Sequence, residues 1–385
     1  MRRGYLVRMV FMFLIALSIV VGLHAYIGKR LFVDSGIPAG AAAIGWALLA
    51  FGFLTIPLGF MAFRAFPPKI SRVLSWGGYL WMGAFAMLLV AVAGTDLVRL
   101  IVISVPHPSV SLAAGQIQAA AVLALVIPAL IIGYRTARGP ARIERVKVPI
   151  KDLPAELEGL RIAQISDIHI GPTLHGDFLQ RVADQVNELK PDAIAITGDL
   201  VDGTVLQLRP HMAALDTLKA PLGAYFVTGN HEYYSGGPAW EAEVARHGIK
   251  VLHNEHVVLE RNGKKLVLAG VTDHEAGQFG PEHACDVAAA FSGAPENAPR
   301  VLLAHQPRTA KLAAPHKVDL QLSGHTHGGQ FFPWMFFVRL QQPSVSGMAN
   351  IYGVRVYTSR GTGYWGPPIR LGPSPEITEL TLVRA

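Results

Sequence analysis

Four apolar stretches, at 9–27, 37–63, 73–93 and 112–134, constrain this chain more than anything else in it. Each runs to roughly 20 residues or more, the length at which a helix rising about 1.5 Å per residue crosses the hydrocarbon layer of a bilayer. Helices apolar on every side have no polar face to give to water, so the pattern predicts four membrane spans. Pro57 and Pro128 fall inside spans, where neighbouring helices tolerate a kink. Arg2, Arg3 and Arg8 precede the first run, Arg64, Lys69 and Arg72 separate the second from the third, and Arg135, Arg138, Arg142, Arg145 and Lys147 follow the fourth. The opposite side has only Lys29 and Arg30, and the connection "SVPHPSVS" at 104–111 has neither Lys nor Arg. By the positive-inside bias both termini are expected in the cytoplasm. The arginine pair in "MRRGYLV" reads as part of this anchoring rather than as an export signal, because no A-x-A cleavage site follows the first run. Asp96 and Arg99 lie beside the third run, near enough to its end to be expected as a snorkelling pair.

Charge divides the chain at the same place. Residues 1–150 carry 14 Lys and Arg against 3 Asp and Glu, residues 151–385 carry 20 against 24, and the net +7 therefore comes entirely from the first part. Basic residues that flank apolar runs belong to membrane anchoring, and the acidic second part offers no basic groove, so no nucleic-acid partner is expected. A length of 385 residues also asks for at least two cores. A membrane domain over 1–140 and a soluble domain over 141–385 are expected. The single cysteine, Cys285, excludes an internal disulfide framework and is expected as a small core residue.

Beyond Ala141 short apolar runs alternate with helical patterns, the rhythm of a layered α/β sheet. "ARIERVKVPI", "RIAQIS", "DAIAIT" and "GAYFVTG" read as strands. "HGDFLQRVADQVNELK" sets Phe178, Leu179, Val182, Val186 and Leu189 at helical spacing, and "LRPHMAALDTLK" is a second helix candidate. "KKLVLAGVT", "PRVLLAHQ", "VDLQLSG", "VRVYTS" and "EITELTLV" are further strands, enough for a second sheet packed on the first.

The strand ends carry the chemistry. "SDIH", "GDLVD", "GNHE", "AHQ" and "SGHTHGG" each place Asp, Asn or His where open α/β sheets hold ligands. In an extended backbone residues i and i+2 share a face, so Asp167 with His169, and His325 with His327, are expected to aim at common centres. Gly198, Gly229, Gly324, Gly328 and Gly329 allow sharp turns beside them. The set Asp167, His169, Asp199, Asn230, His305, His325 and His327 offers carboxylate, amide and imidazole donors without thiolate, which favours Mn²⁺, Fe or Zn²⁺. That is too many donors for one four-coordinate ion, and two divalent ions sharing a carboxylate fit better. Asp202 is expected to orient one of these groups rather than to bind metal. His175, His211, His247, His253, His256, His283 and His316 fit no such block and are expected to be structural or surface residues.

The ordered series D-x-H, G-D-x-x-D, G-N-H-E, a lone His and G-H-T-H resembles the calcineurin-like metallophosphoesterase superfamily. The "GGQ" that follows, and "SRGTGYWGPPIRLGPSPEITELTL", resemble its membrane-anchored bacterial branch. The resemblance implies an α/β fold, a four-layer α/β/β/α sandwich of two packed sheets. It further implies one ion on Asp167, His169, Asp199 and His327, a second on Asp199, Asn230, His305 and His325, and His231 as the catalytic histidine. A metal-dependent phosphoric ester hydrolase of a bacterial inner membrane follows, its catalytic domain cytoplasmic and its nucleophile a hydroxide held between the ions. His274, Arg360 and Arg370 are candidate substrate contacts, the arginines because a guanidinium fork matches phosphate. "FFPWMFFV" is expected either to meet the bilayer or an acyl chain, or to be a buried strand and loop. Tethering to the membrane favours a lipid-linked phosphate, such as a phospholipid, a nucleotide-activated glycolipid or a polyprenyl phosphate. A tethered phosphodiesterase for soluble nucleotides, a non-enzymatic binding module and a transport protein with an accessory hydrolase domain are the alternatives.

Overall fold

The computed structural model describes residues 2–102 and 108–385, so part of the expected connection at 104–111 lies outside the described residues. It separates into two compact units, Met1–Ile132 and Gly133–Ala385.

The first unit is helical. Helices α1 (Arg2–Gly28), α2 (Ala39–Ala65), α3 (Pro68–Val102) and α4 (Pro108–Arg138) account for the four apolar runs, and α4 ends within the second unit. All four are long and apolar enough to cross a membrane. Helix α3 runs well past the expected end of its span because Asp96 and Arg99 find partners inside the bundle. Asp96 accepts from Tyr26 Oη at 2.5 Å, Gln118 Nε2 at 2.6 Å and Arg30 Nε at 2.9 Å. Arg99 donates to Gln118 Oε1 at 3.0 Å and lies 3.6 Å from Asp34. The two side chains thus join a network across α1, α3 and α4 instead of forming the expected snorkelling pair. Charges near a span's interior persist when such partners neutralise them. His24, which the sequence reading passed over, is held similarly: its Nδ1 is 2.8 Å from Val20 O and Trp81 Nε1 donates to its Nε2 at 3.2 Å.

In the second unit one sheet runs in the order β1 (Arg142–Ile150), β12 (Glu376–Arg384), β2 (Arg161–Ile165), β3 (Ala193–Thr197), β4 (Ala224–Val227), β5 (Lys250–Val251). The other runs β10 (Gly347–Ile351), β11 (Val354–Thr358), β9 (Leu320–Ser323), β8 (Arg300–Leu303), β7 (Lys264–Gly270), β6 (Glu255–Arg261). Strands β2 to β5 are mutually parallel, as are β7, β8, β9 and β11, so the polar ends of these runs gather at one edge of each sheet. Alternation decides which residues face inward. Ile162, Ala193, Ala195 and Val227 of the first sheet pack with Leu266, Leu268, Val301, Leu303, Leu320 and Leu322 of the second in one buried core. Residues of opposite parity on the second sheet, Val267, Ala269, Leu302 and Val356, pack with Val287, Ala290, Ala310 and Ala313 in another. Helix α5 (Gly176–Glu188) buries Phe178, Leu179, Val182 and Val186 along the expected stripe. The architecture is the expected sandwich of two sheets clad in helices. One element differs: 208–219, expected as one helix, begins at the end of a helical turn, Val205–Leu208, and continues as 3₁₀ turns Arg209–His211 and Ala213–Thr217. Pro210 sits there, without the N–H that a continuing α-helix needs.

Candidate metal centre

Asp167 and His169 follow β2, Asp199 follows β3, Asn230 and His231 open the helix Asn230–Ser235 after β4, His305 follows β8, and His325 and His327 follow β9. The extended i, i+2 geometry expected for the two paired motifs is not what brings them together. Asp167, His169, Asp199, His325 and His327 all have positive φ, between 51° and 71°. The strands end, and successive left-handed residues turn the side chains into a shared pocket. Left-handed backbone is uncommon outside glycine, and roughly 1–3 kcal/mol of strain at each such residue persists only where the surroundings fix it. Gly324 supplies part of that fixing by lacking a side chain, since a Cβ there would stand 2.2 Å from Asp167 Oδ2.

Two constellations take in six of the expected ligands, Asp167 with His169 and His327, and Asp199 with His305 and His325, and a third grouping, His169 with Asp199 and His231, joins them. In the first, His169 Nε2 lies 3.0 Å from His327 Nε2, and His327 Nε2 lies 3.6 Å from Asp167 Oδ1. In the second, His305 Nε2 lies 3.1 Å from Asp199 Oδ2 and 3.2 Å from His325 Nδ1. Asp199 Oδ2 is also 3.8 Å from His169 Nε2, which puts this carboxylate between the two groups. Asn230 is buried, and its Oδ1 has no hydrogen-bond partner.

These groups fit divalent cations. Donors bound about 2.1 Å from one ion stand about 3.0–3.4 Å from each other; His169–His327, His305–Asp199 and His305–His325 fall in that range, and His327–Asp167 and His169–Asp199 are somewhat longer. A buried amide oxygen without a donor costs roughly 1–3 kcal/mol unless an electrophile meets it. Burial, and then His305, push the His325 imidazole down to about 3. Burial and Arg370 hold His327 well below the usual imidazole range. Both rings are therefore neutral and keep the lone pair that a cation needs. At Asp199 burial works to raise the carboxyl, but the imidazoles of His305 and His231 outweigh it and hold the group far below its ordinary value.

Partners behind the cluster fix its rings. His305 Nδ1 lies 2.7 Å from Thr197 O, so that nitrogen carries the proton and Nε2 faces Asp199. His169 Nδ1 lies 2.9 Å from Asp202 Oδ1, and His231 Nδ1 lies 2.6 Å from the same oxygen. One carboxylate thus orients both rings, and the two imidazoles hold it well below the usual range against the opposing effect of burial. At His231 burial works to lower the imidazole, and Asp199 and Asp202 outweigh it to push it up to about 9.

The sequence reading missed Glu232. It is fully buried and accepts from the backbone N–H groups of Gly229 at 2.7 Å, Leu200 at 2.8 Å and Asp199 at 2.9 Å, pinning the two turns that carry Asp199 and Asn230. An acid three residues into a helix, reaching back to the amide that precedes it, is half of a capping box, and "GNHE" carried that signal.

The three candidate substrate contacts are placed differently from the cluster. Arg370 is fully buried, and its guanidinium donates to His327 O at 2.8 Å, Arg360 O at 2.6 Å and Gly361 O at 3.3 Å, and to Gly363 O. A desolvated guanidinium costs several kcal/mol unless its donors are used, and these are used on the loop. Arg360 pairs with Glu144 at 2.8 Å and with Glu376. Both arginines brace the segment beside His327, where a fork free for phosphate was expected. His274 is half-buried with Nδ1 3.5 Å from Thr309 Oγ1, and it belongs to neither constellation.

Two sheets whose strand ends converge on paired Asp/His groups around a shared carboxylate define a metallophosphoesterase type of centre. The family model for calcineurin-like phosphoesterases matches residues 160–329, a window that contains every member of both constellations. A transmembrane protein with a metallophosphoesterase domain from Danio rerio is 41% identical over 274 residues, covering 69% of this chain and 63% of its own length. Uncharacterized metallophosphoesterases are similar too. That of Campylobacter jejuni is 34% identical, over 68% of this chain and 69% of its own length. That of Aquifex aeolicus is 34% identical, over 63% and 91%. The chain belongs to the calcineurin-like phosphoesterase family. It spans less than two thirds of the length of the Danio rerio protein.

Proposed function

We propose that this chain is a membrane-anchored, metal-dependent hydrolase of a phosphoester or phosphoanhydride in a lipid-linked substrate. The observation that carries the reading is the position of Asp199, 3.1 Å from His305 and 3.8 Å from His169, between two Asp/His groups. Asp167, His169, Asp199 and His327 would hold one divalent ion, and Asp199, Asn230, His305 and His325 the other, with Mn, Fe or Zn suited to the donors. When bound, such ions supply Lewis acidity toward phosphoryl oxygens and make water nucleophilic near neutral pH. The chain's own residues do the rest. With Nδ1 committed to Asp202, His231 has Nε2 left to face a substrate. An Nε2–H there donates its proton to the leaving oxygen as the P–O bond breaks. Asp202 keeps the ring aimed, and Glu232 keeps the turn that bears it in place.

The membrane helices support a substrate that resides in the bilayer, such as a phospholipid, a nucleotide-activated glycolipid or a polyprenyl phosphate. Phosphate release from lipid-linked esters in vesicles, set against soluble nucleotides and a chromogenic diester and repeated with Mn²⁺, Fe²⁺ and Zn²⁺, tests this. The lipid substrates are expected to give the highest kcat/KM by about tenfold or more, the worth of one buried apolar group. A clear preference for soluble nucleotides overturns the lipid-linked reading in favour of a tethered phosphodiesterase. Release from none of them, with transport intact, favours a transport role.

The Lys and Arg excess on one side of the spans supports a catalytic unit facing the cytoplasm of a bacterial inner membrane. A C-terminal reporter pair is expected to be active as a cytoplasmic fluorescent protein and silent as a periplasmic phosphatase. The opposite pattern puts the unit on the other side.

A further inference from the structure

The expectation for "FFPWMFFV" left open a buried strand or a membrane contact. The segment forms a short helix, Trp334–Val338, that buries none of its residues. Phe336 is 58% exposed and Phe337 53%, with Phe332 and Trp334 before them and Leu340 after them also exposed. Their rings meet in pairs, Trp334 with Phe337 at 5.5 Å and Phe332 with Phe336 at 6.0 Å. Leaving several large apolar side chains in water forfeits roughly 1.5–3 kcal/mol of burial for each, which asks for an occupant.

Two observations within the second unit say which one. The helix is seated on the turn that carries His327: a Cβ at Gly329, whose φ is +82°, would stand 2.4 Å from Met335 Cα. The neighbouring residues grip the 365–371 segment, Gln330 Nε2 donating to Trp365 O at 2.8 Å and Phe331 bridging to Leu371. That same segment is held by the last part of membrane helix α4, where Arg370 N–H donates to Gly133 O at 2.9 Å. Within the second unit the aromatic helix and Gly133 are thus both tied to the 365–371 segment. Trp365, also exposed, brings its ring to 5.8 Å from that of His231. Trp and Phe with the exposed Arg339 beside them are the residue types of a helix lying in the headgroup boundary.

We propose that Phe332, Trp334, Phe336, Phe337, Leu340 and Trp365 form an interfacial wedge that enters the bilayer spanned by the same chain and holds the pocket at headgroup level. What the wedge serves rests on the proposed lipid-linked substrate, whereas its insertion is measured without any substrate. The full chain with Cys285→Ala is spin-labelled at Phe336→Cys, at Phe337→Cys or, as a water-facing control, at Leu206→Cys, which is 91% exposed. Each is reconstituted in phosphatidylcholine–phosphatidylglycerol vesicles. Labels at 336 and 337 are expected to collide more with oxygen than with a nickel chelate, at a depth of about 5–10 Å, and the label at 206 to do the reverse. Labels at 336 and 337 that behave like the one at 206 overturn the wedge, and so do labels shielded from both reagents, which mean a protein partner or a second copy. Serine at 334, 336 and 337 together is then expected to lower turnover of a vesicle-borne phosphoester by about tenfold or more and to spare a soluble chromogenic diester. Inserted labels with equal effects on both substrates leave the wedge standing and sink the lipid-linked reading.

Discussion

Asp199→Asn is expected to lower turnover by on the order of 10³-fold, about 4 kcal/mol of barrier, and to bring bound metal to one ion or fewer per chain. The reason is position. Asp199 is the carboxylate that stands between the constellations, its Oδ2 reaching His305 at 3.1 Å and His169 at 3.8 Å. Asparagine keeps the shape and still offers Oδ1 to His231 N–H, which Asp199 accepts from at 2.9 Å. It removes the one negative charge shared by both groups. The loss should therefore appear in elemental analysis and turnover while circular dichroism and thermal unfolding stay close to those of the parent chain. Two ions per chain with near-parental turnover in this variant would refute the shared-carboxylate reading.

How much of this was legible beforehand depended on the range of the physics involved. The spans needed only hydropathy and length, and Leu266, Leu268 and Val301 were recoverable from short apolar runs because strand alternation is local. The gathering of the pocket was legible from residue types in order, Asp167 through His327, but its mechanism was not. Positive φ at five of these residues is imposed by packing around them, such as the missing side chain at Gly324, and no local propensity announces it. One strand of a hairpin, β6, went unread although the turn that leads from it into β7 was written out: Asn262 and Gly263, both at positive φ, join the two. For Arg360 and Arg370 residue type alone left phosphate binding and loop bracing both open. Residue type gives a guanidinium its taste for oxygen, and only tertiary structure says whether that oxygen is a phosphate or a backbone carbonyl.

His231 separates catalysis from metal binding, which gives the second large expectation. Its Nε2 stays 4.0 Å from Asp199 Oδ2, outside the shorter approaches within each constellation, and its Nδ1 is committed to Asp202 at 2.6 Å. The ring is more open than its buried neighbours, with 16% of the side chain exposed. That placement supports the proposal that His231 reaches a bound substrate rather than holding an ion. His231→Ala is therefore expected to cut kcat by about 10²–10⁴-fold, the range for a lost general acid, with metal content unchanged. The split should follow the leaving group. A poor, alkoxide-like leaving group needs the proton and suffers the full loss, whereas a nitrophenolate leaves without one and loses less. Equal losses on both would assign His231 to stabilising the phosphoryl charge instead, and a fall in bound metal would make it a ligand.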